Sequence, residues 1–187
     1  MVTRTLFFSF IFIFCFHSLS IAQNSTSPRA ITEEDSSKIE MSISKGIEQL
    51  ADSLRNLDRF NINEEFIEFT ADTFAIEQRR RLKMDINWST AGMNNATYDA
   101  EKEYDRLLNK YYQRLIGKLD PEDREILRQS QRNWIEFRDS ERDVNQMLTK
   151  WHYSGGGTIQ TTISAWYHLE ITRRRVIELY RYLGRTR

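Results

Sequence analysis

The sequence predicts an all-α fold, a bundle of four to five helices that contains one long antiparallel helix hairpin. Apolar residues recur at steps of three and four over most of the chain, no segment alternates with period two for long enough to form a strand, and only two prolines interrupt 187 residues. With 40% hydrophobic and 29% charged residues, the composition is typical of a folded protein rather than a disordered one.

The first 22 residues are predicted to form a secretory signal peptide. From Leu6 to Phe16 every residue except Ser9 is apolar, Arg4 precedes this run, and Ser20 and Ala22 follow with the spacing of a cleavage site. The run is about half as long as the roughly 20 residues of a membrane-spanning helix. We therefore expect cleavage after Ala22, no transmembrane anchor afterwards, and a periplasmic or secreted protein.

Loss of this leader determines the charge and thiol content of the mature chain. The sequence has 27 basic and 27 acidic residues, and removal of Arg4 leaves 26 − 27 = −1. This balance argues against nucleic-acid binding, which requires an excess of Lys and Arg. The single cysteine, Cys15, is lost as well, so the mature chain has no disulfide and no cysteine-bound metal. Phe14 before it does not fit a lipoprotein site, and no lipid anchor is expected.

The mature chain is predicted to begin with a flexible segment over 23–36, which lacks apolar periodicity. A helix follows from Ser37, because Ser37 and Glu40 have capping-box spacing and isoleucines and leucines recur to about Leu57.

A second, shorter helix is expected before residue 86. Residues 60–70 fit either an extended piece or a helical turn, and Asp72 is placed to cap a helix that ends near Ile86. These two helices form a predicted N-terminal helical extension over 37–86.

The helix hairpin is predicted from residue 89 onward. A 3.6-residue period runs from Ser89 to Lys118 without a proline and stops at Gly117, and Asp120 and Pro121 then suit the cap and the first position of a new helix. So short a connection makes the two helices antiparallel neighbours. The apolar residues that the second helix carries include Ile126, Leu127, Trp134, Phe137, Val144 and Leu148. A loop over 151–157 then leads to a last helix, from Thr158 to about Leu183, ended by Gly184.

One candidate binding group lies in the middle of the hairpin's second helix. Gln131, Trp134 and Arg138 share one side of it, and Asp139 follows directly. They form either a recognition surface, in which Trp and Arg are typical anchors, or a structural group with Trp134 packed inward and Arg138 paired to a carboxylate of a neighbouring helix.

The other candidate group is the loop Ser154, Gly155, Gly156, Gly157 and Thr158. Glycines before a helix start resemble an anion cradle, but a preceding strand and the lysine of a phosphate-binding loop are missing, which favours a flexible turn between two helices.

The remaining patterns predict neither catalysis nor a cofactor. His152 and His168 lack the carboxylate spacing of a metal site. The basic runs at 79–81 and 173–175 are typical of solvated helix faces, although a surface for anionic polymers is an alternative. No nucleophile elbow and no matched acid pair occurs, so we expect a protein that is not an enzyme.

An ordered series of motifs resembles the LprI N-terminal-like family of exported bacterial helical domains, named for a lysozyme inhibitor. The motifs are Met93-Asn94, Tyr104-Asp105-x-x-Leu108-Asn109-x-x-Tyr112, Gln131-x-x-Trp134-x-x-x-Arg138-Asp139, Gly156-Gly157-Thr158 and Thr172-x-x-Arg175-x-x-Glu178-Leu179. The resemblance covers 89–183. Family members usually carry cysteines near Ala96, Arg142 and Tyr167, which this chain lacks.

The resemblance implies an exported, non-enzymatic binding protein whose partner is a lysozyme or another envelope protein. The alternative is an envelope structural or cell-wall interaction domain without an enzyme target, which would use the basic last helix. Salt separates the two, because polymer binding through arginines weakens steeply with ionic strength and a packed protein interface does not.

Overall fold

The computed structural model describes residues 27–57 and 62–186, which form six α-helices and no strand. The predicted all-α fold is confirmed. The helices are α1 (Glu33–Arg55), α2 (Glu64–Ile86), α3 (Thr90–Lys118), α4 (Pro121–Leu148), α5 (Trp151–Ser154) and α6 (Ile159–Leu183). The predicted signal peptide over 1–22, its cleavage site and the start of the predicted flexible segment lie outside the described residues. Within the described ranges, no helix is both long and apolar enough to span a membrane.

The centre of the bundle is formed by α2, α3 and α6. α2 and α3 run antiparallel, whereas α3 and α6 run parallel and bring Tyr111 of α3 against Tyr180 of α6, with ring centroids 5.6 Å apart. Phe69 of α2 contacts both rings: it stacks on Tyr180 with centroids 3.8 Å apart and meets Tyr111 edge-on at 5.3 Å. α1 packs on the outside of α2, and α4 lies outside α3 and α6. The fully buried side chains include Tyr104, Tyr111, Thr172, Val176, Leu179 and Leu183.

The predicted helix hairpin is present. Arg142 of α4 is paired with Glu101 of α3, and one turn further along Arg138 lies 4.0 Å from Asp105. The residue numbers in each pair have the same sum, which is the register of two antiparallel helices. The helix boundaries at Ser89, Lys118 and Pro121 also agree with the prediction, although the side chain of Asp120 makes no capping hydrogen bond.

The predicted start of α1 is wrong by four residues. Thr32 and Asp35, and not Ser37 and Glu40, form the capping box: the Asp35 amide donates to Thr32 Oγ1 at 3.2 Å, and the Thr32 amide donates to Asp35 Oδ2 at 2.9 Å. Arg29 pairs with the same carboxylate and, together with the Thr32 bonds, holds the pKa of Asp35 far below its usual range. The last residues of the segment predicted to be flexible are therefore helical.

α2 is one long helix rather than a short one. Asn63 caps it by accepting a hydrogen bond from the Phe66 amide at 2.8 Å, so the ambiguous residues 60–70 are helical from Glu64 onward. Asp72, predicted as the cap, lies inside the helix and pairs with Lys110 of α3.

The apolar side chains of α4 are the largest departure from the prediction. Leu127 is buried and Trp134 half-buried, but Ile126 is 70% exposed, Phe137 53%, Val144 44% and Leu148 49%. These four side chains, named here the α4 stripe, point away from the core. The loop predicted over 151–157 also contains a helical turn, α5.

Candidate functional site

The first predicted group, in the middle of α4, joins α4 to α6. The guanidinium of Arg175, on α6, is 5% exposed and donates from Nε to Gln131 Oε1 at 3.1 Å. It also donates to Ser130 Oγ at 3.3 Å and to Glu178 Oε2 at 2.6 Å. Gln131 is therefore occupied in a buried hydrogen bond between two helices.

Trp134 lies between two arginines. The Arg138 guanidinium carbon is 5.3 Å from the Trp134 ring centroid, and that of Arg175 is 5.8 Å away. The ring packs against the buried core, as the structural alternative predicts. The carboxylate closest to Arg138 is that of Asp139, at 2.8 Å on the same helix, while Asp105 of the neighbouring helix lies at the limit of an ion pair.

Arg175 is the buried side chain of this group that the sequence did not single out. It occurs in the motif Thr172-x-x-Arg175-x-x-Glu178-Leu179, and it shares a helix side with the buried Thr172 and Leu179. An arginine on an otherwise buried helix side is a signal for a buried polar contact, but only the fold shows that the partner is Gln131.

The second predicted group, residues 154–158, forms an organised turn. Gly155, Gly156 and Gly157 all have positive φ angles, of 72°, 79° and 92°. Ser154 Oγ accepts a hydrogen bond from the Gly156 amide at 3.0 Å and donates to the Thr149 carbonyl at 3.0 Å. A β-carbon on Gly156 would lie 2.4 Å from the Trp151 ring, so this glycine is required for the ring to pack over the turn.

Large apolar side chains on α5 and on the first turns of α6 face solvent. Trp151 is 76% exposed, and on α6 the exposed residues recur at helical spacing within a sector of about 100°. We name this surface the aromatic end; it consists of Trp151, Tyr153, Ile159, Ile163, Trp166 and Tyr167. Exposed apolar clusters of this kind mark interaction sites, and Trp and Tyr are the residues that most often dominate binding energy.

The two predicted groups are not brought together. Arg138 and Thr149 are separated by 11 residues of α4, which corresponds to about 16 Å along the helix axis. The first group lies between helices in mid-bundle, and the second is at the end where α4 stops and α6 begins.

Buried polar atoms without a hydrogen-bond partner occur on α3, α4 and α6 of the described chain. His168 Nε2, Arg142 Nε and Asn94 Oδ1 are buried and make no hydrogen bond to the described residues. Burial lowers the pKa of His168, and the nearby Arg142 lowers it further. In the described part of the chain, no three His, Cys, Asp or Glu side chains lie together as a metal site requires.

The basic runs are largely neutralised by neighbouring acids. Arg173 and Arg174 both pair with Glu170, at 2.6 and 2.8 Å, and Arg175 is buried. In the earlier run, Arg79 pairs with Glu40 and Glu103. These arginines are not a free cationic surface.

The described chain is thus an all-α bundle with exposed aromatic side chains at one end. The comparison with protein families identifies a specific group: the family model described as lysozyme inhibitor LprI matches residues 84–179, which is 96 of the 187 residues. The chain belongs to this family. The match covers α3 to α5 and most of α6. Searches of curated proteins and of solved structures found no match.

Proposed function

We propose that this protein is exported and inhibits a lysozyme by placing its aromatic end in the enzyme's substrate cleft. Family membership supports the target, and the exposure of the aromatic end supports the surface. The proposal depends most on one observation. Trp151, the most exposed large apolar side chain among the described residues, packs over a turn formed by three glycines with positive φ. The protein acts by binding and without a cofactor.

The aromatic end is ordered before it meets a partner. The turn joins α5 to α6, at the end of α4 and the start of α6. The hydrogen bonds of Ser154 and the contact between Trp151 and Gly156 order the turn before binding, which lowers the entropic cost of ordering it in a complex.

The first group has a supporting role in this proposal. Gln131 and Trp134 hold α4 on α6 through Arg175, and this contact fixes the two helix ends from which the turn projects. Asp139 is exposed and Arg138 lies beside it, so they remain available at the margin of a contact.

Long-range attraction does not contribute to the binding we propose. Common animal lysozymes are strongly basic, whereas the mature charge of this chain, 26 − 27 = −1, is close to neutral. We expect association at about 10⁵ to 10⁶ M⁻¹s⁻¹ with weak dependence on salt. The alternative, an envelope domain that binds anionic polymer, requires free arginines on the last helix, and the pairing of Arg173 and Arg174 does not favour it.

The test is lysis of cell walls by several lysozyme types with increasing amounts of the protein, at low and moderate salt. Trp151→Ala and Gly156→Ala should each weaken inhibition at least tenfold. Gly155→Ala is the matched control, because its φ is equally positive but its β-carbon would contact nothing within 4 Å. Met41→Ala, on an exposed position of α1, should have no effect.

The controls separate the surface from the activity. No inhibition of any lysozyme at large molar excess would reject the inhibitor function and favour the envelope alternative. Inhibition that survives both Trp151→Ala and Gly156→Ala would retain the function and reject the aromatic end as its surface. Inhibition that disappears at moderate salt would show that charge attraction is involved.

A further inference from the structure

The α4 stripe is an apolar surface that neither the core nor the aromatic end accounts for. At about 100° per residue, Ile126, Phe137, Val144 and Leu148 fall within a sector of about 40° on one side of α4. All four side chains are between 44% and 70% exposed. Single exposed apolar residues are common, but a row along six turns of one helix is the pattern of a helix that packs against a partner.

The spacing of the stripe is symmetric. Ile126 lies 11 residues before Phe137, and Leu148 lies 11 residues after it. In an antiparallel pair of α4 helices with the two-fold axis at Phe137, this ring meets its own copy and Ile126 meets the partner's Leu148. Val144 then faces the partner's Ser130, which is small enough to accommodate it. We infer that the stripe binds a second copy of this chain in this antiparallel arrangement, an interface that uses the same surface on both subunits.

The polar residues nearest the stripe agree with the same register. At about 100° per residue, Asn133 and Glu141 flank the stripe, each about 40° from its centre, and both side chains are exposed. In this register Asn133 lies at the level of the partner's Glu141, so an amide that can donate a hydrogen bond meets a carboxylate, twice by symmetry.

The surface at the far end of the stripe has room for the partner. Where α4 begins, an open depression of about 410 Å³ is lined by Leu115, Leu119, Ile126 and Tyr182, among others. Ile126 forms part of its wall, so the arrangement brings the partner's Leu148 to this depression. Leu148 at one end of α4 and the depression at the other end would therefore meet twice, once on each side of the two-fold axis.

The area of the contact determines its expected strength. Twenty-two residues of helix span about 33 Å, and with a helix about 10 Å wide the seam has a footprint of about 330 Å² on each chain. This is less than the roughly 800 Å² per partner of a standard interface. We therefore expect a reversible dimer with a dissociation constant in the micromolar range. The two aromatic ends would lie at opposite ends of the dimer and remain exposed, so the dimer does not depend on the proposed inhibition.

The experiment is sedimentation velocity of the full processed chain over about 1 to 200 μM. Phe137→Glu should raise the dimer dissociation constant at least tenfold, because it places two carboxylates on the axis. Ile135→Glu is the matched control, since Ile135 is 39% exposed on the opposite side of α4, and it should leave the dimer unchanged. Both positions are exposed, so circular dichroism should show the wild-type helix content for each variant.

Cysteine variants test the register in a chain prepared without residues 1–22, which has no cysteine of its own. Phe137→Cys should form an intermolecular disulfide on mild oxidation, whereas Ile135→Cys should not. The double variant Ile126→Cys with Leu148→Cys should also cross-link. Ile126→Cys alone should not, because in the antiparallel register Ile126 meets the partner's Leu148 and not its own copy.

A protein that stays monomeric at 200 μM would overturn the inference. A dimer that Phe137→Glu does not weaken would overturn the surface. Cross-linking of Ile126→Cys alone, or no cross-linking of the double variant, would overturn the antiparallel register.

Discussion

α3 and α4 are consecutive helices of nearly equal length, with 29 and 28 residues, yet they have opposite relations to the core. α3 buries nine residues, most of them apolar, whereas α4 buries only Leu127 and Gln131. Both helices show apolar residues at helical spacing. The apolar side of α3 faces the core. Most of the apolar side chains of α4 face solvent, where a partner can cover them.

The contacts of α4 with the bundle are mainly polar. Gln131 bonds to Arg175, Arg142 pairs with Glu101, and Asn145 donates to the Ser164 carbonyl at 3.4 Å. Half-buried or exposed polar contacts each stabilise a fold by about 1 kcal/mol or less, and a buried apolar side chain by about 1.5 to 3 kcal/mol. α4 is therefore held on the bundle more by polar contacts than by the burial of apolar side chains.

The largest effect that this comparison predicts is a difference between two identical substitutions. Leu108→Ala on α3 removes a side chain that is 4% exposed and should lower the free energy of unfolding by about 2 to 5 kcal/mol. Leu148→Ala on α4 removes one that is 49% exposed and should cost less than about 1 kcal/mol. Urea denaturation measures both. Equal losses would mean that α4 is part of the core.

The next prediction concerns the two arginines beside Trp134. Arg175→Met leaves Gln131 buried without its donor and should cost about 2 to 4 kcal/mol. Arg138→Met loses a stacking contact and an ion pair with the exposed Asp139 and should cost about 1 kcal/mol or less. Thermal and urea unfolding of both variants provide the comparison. A larger loss for Arg138→Met would place the main attachment of α4 on α3 instead of α6.

A smaller effect on stability is expected from pH. It should affect the contacts of α4 and the contacts between α2 and α3 in different pH ranges. Burial lowers the pKa of His168, where α4 meets α3 and α6, so the fold favours the neutral imidazole. Stability from this group is complete above its ordinary pKa of about 6.5 and decreases as the pH falls below it. The groups that face it are Arg142 and Glu101. We expect Tm to fall by a few degrees between pH 7 and pH 5.

His168→Gln should reduce this fall, and His152→Gln, at an exposed position, should not. The ion pairs between α2 and α3 respond at lower pH. Hydrogen bonds from Arg114 lower the pKa of Glu68 to about 2, so the stability it provides is lost only as the pH falls from about 4.5 toward 2. A Tm that is constant from pH 7 to pH 5 would show that His168 is not linked to folding.

The helices of the matched half were predictable because their boundaries have local causes. Ser89 caps α3 through the Gly92 amide, and Pro121 occupies the first position of α4. Periodicity also placed Tyr104 and Tyr111 on one side of α3, and both are buried. These features depend on neighbours within one helical turn, and the sequence contains that information.

The rest depended on contacts between helices. Periodicity shows that Phe137 and Val144 share a side of α4, but not whether another helix covers that side. The start of α1 was missed because Asp35 serves at the capping position where Glu is more common, with Arg29 as an additional partner. In the candidate site, the residues 154–158 themselves predict a turn. The hydrogen bond from Arg175 to Gln131 depends on how α4 packs on α6, which the sequence does not show.

The most direct test of this account is native-state hydrogen exchange, which measures the opening free energy of each helix separately. We expect the amides of α3 and α6 to exchange only through global unfolding, and those of α4 to exchange through a local opening that is at least about 2 kcal/mol less costly. Arg175→Met should lower the opening free energy of α4 and the free energy of global unfolding by about the same amount, because its contact with Gln131 is broken in both openings. Amides of α4 and α3 that exchange with the same free energy, equal to that of global unfolding, would contradict the account.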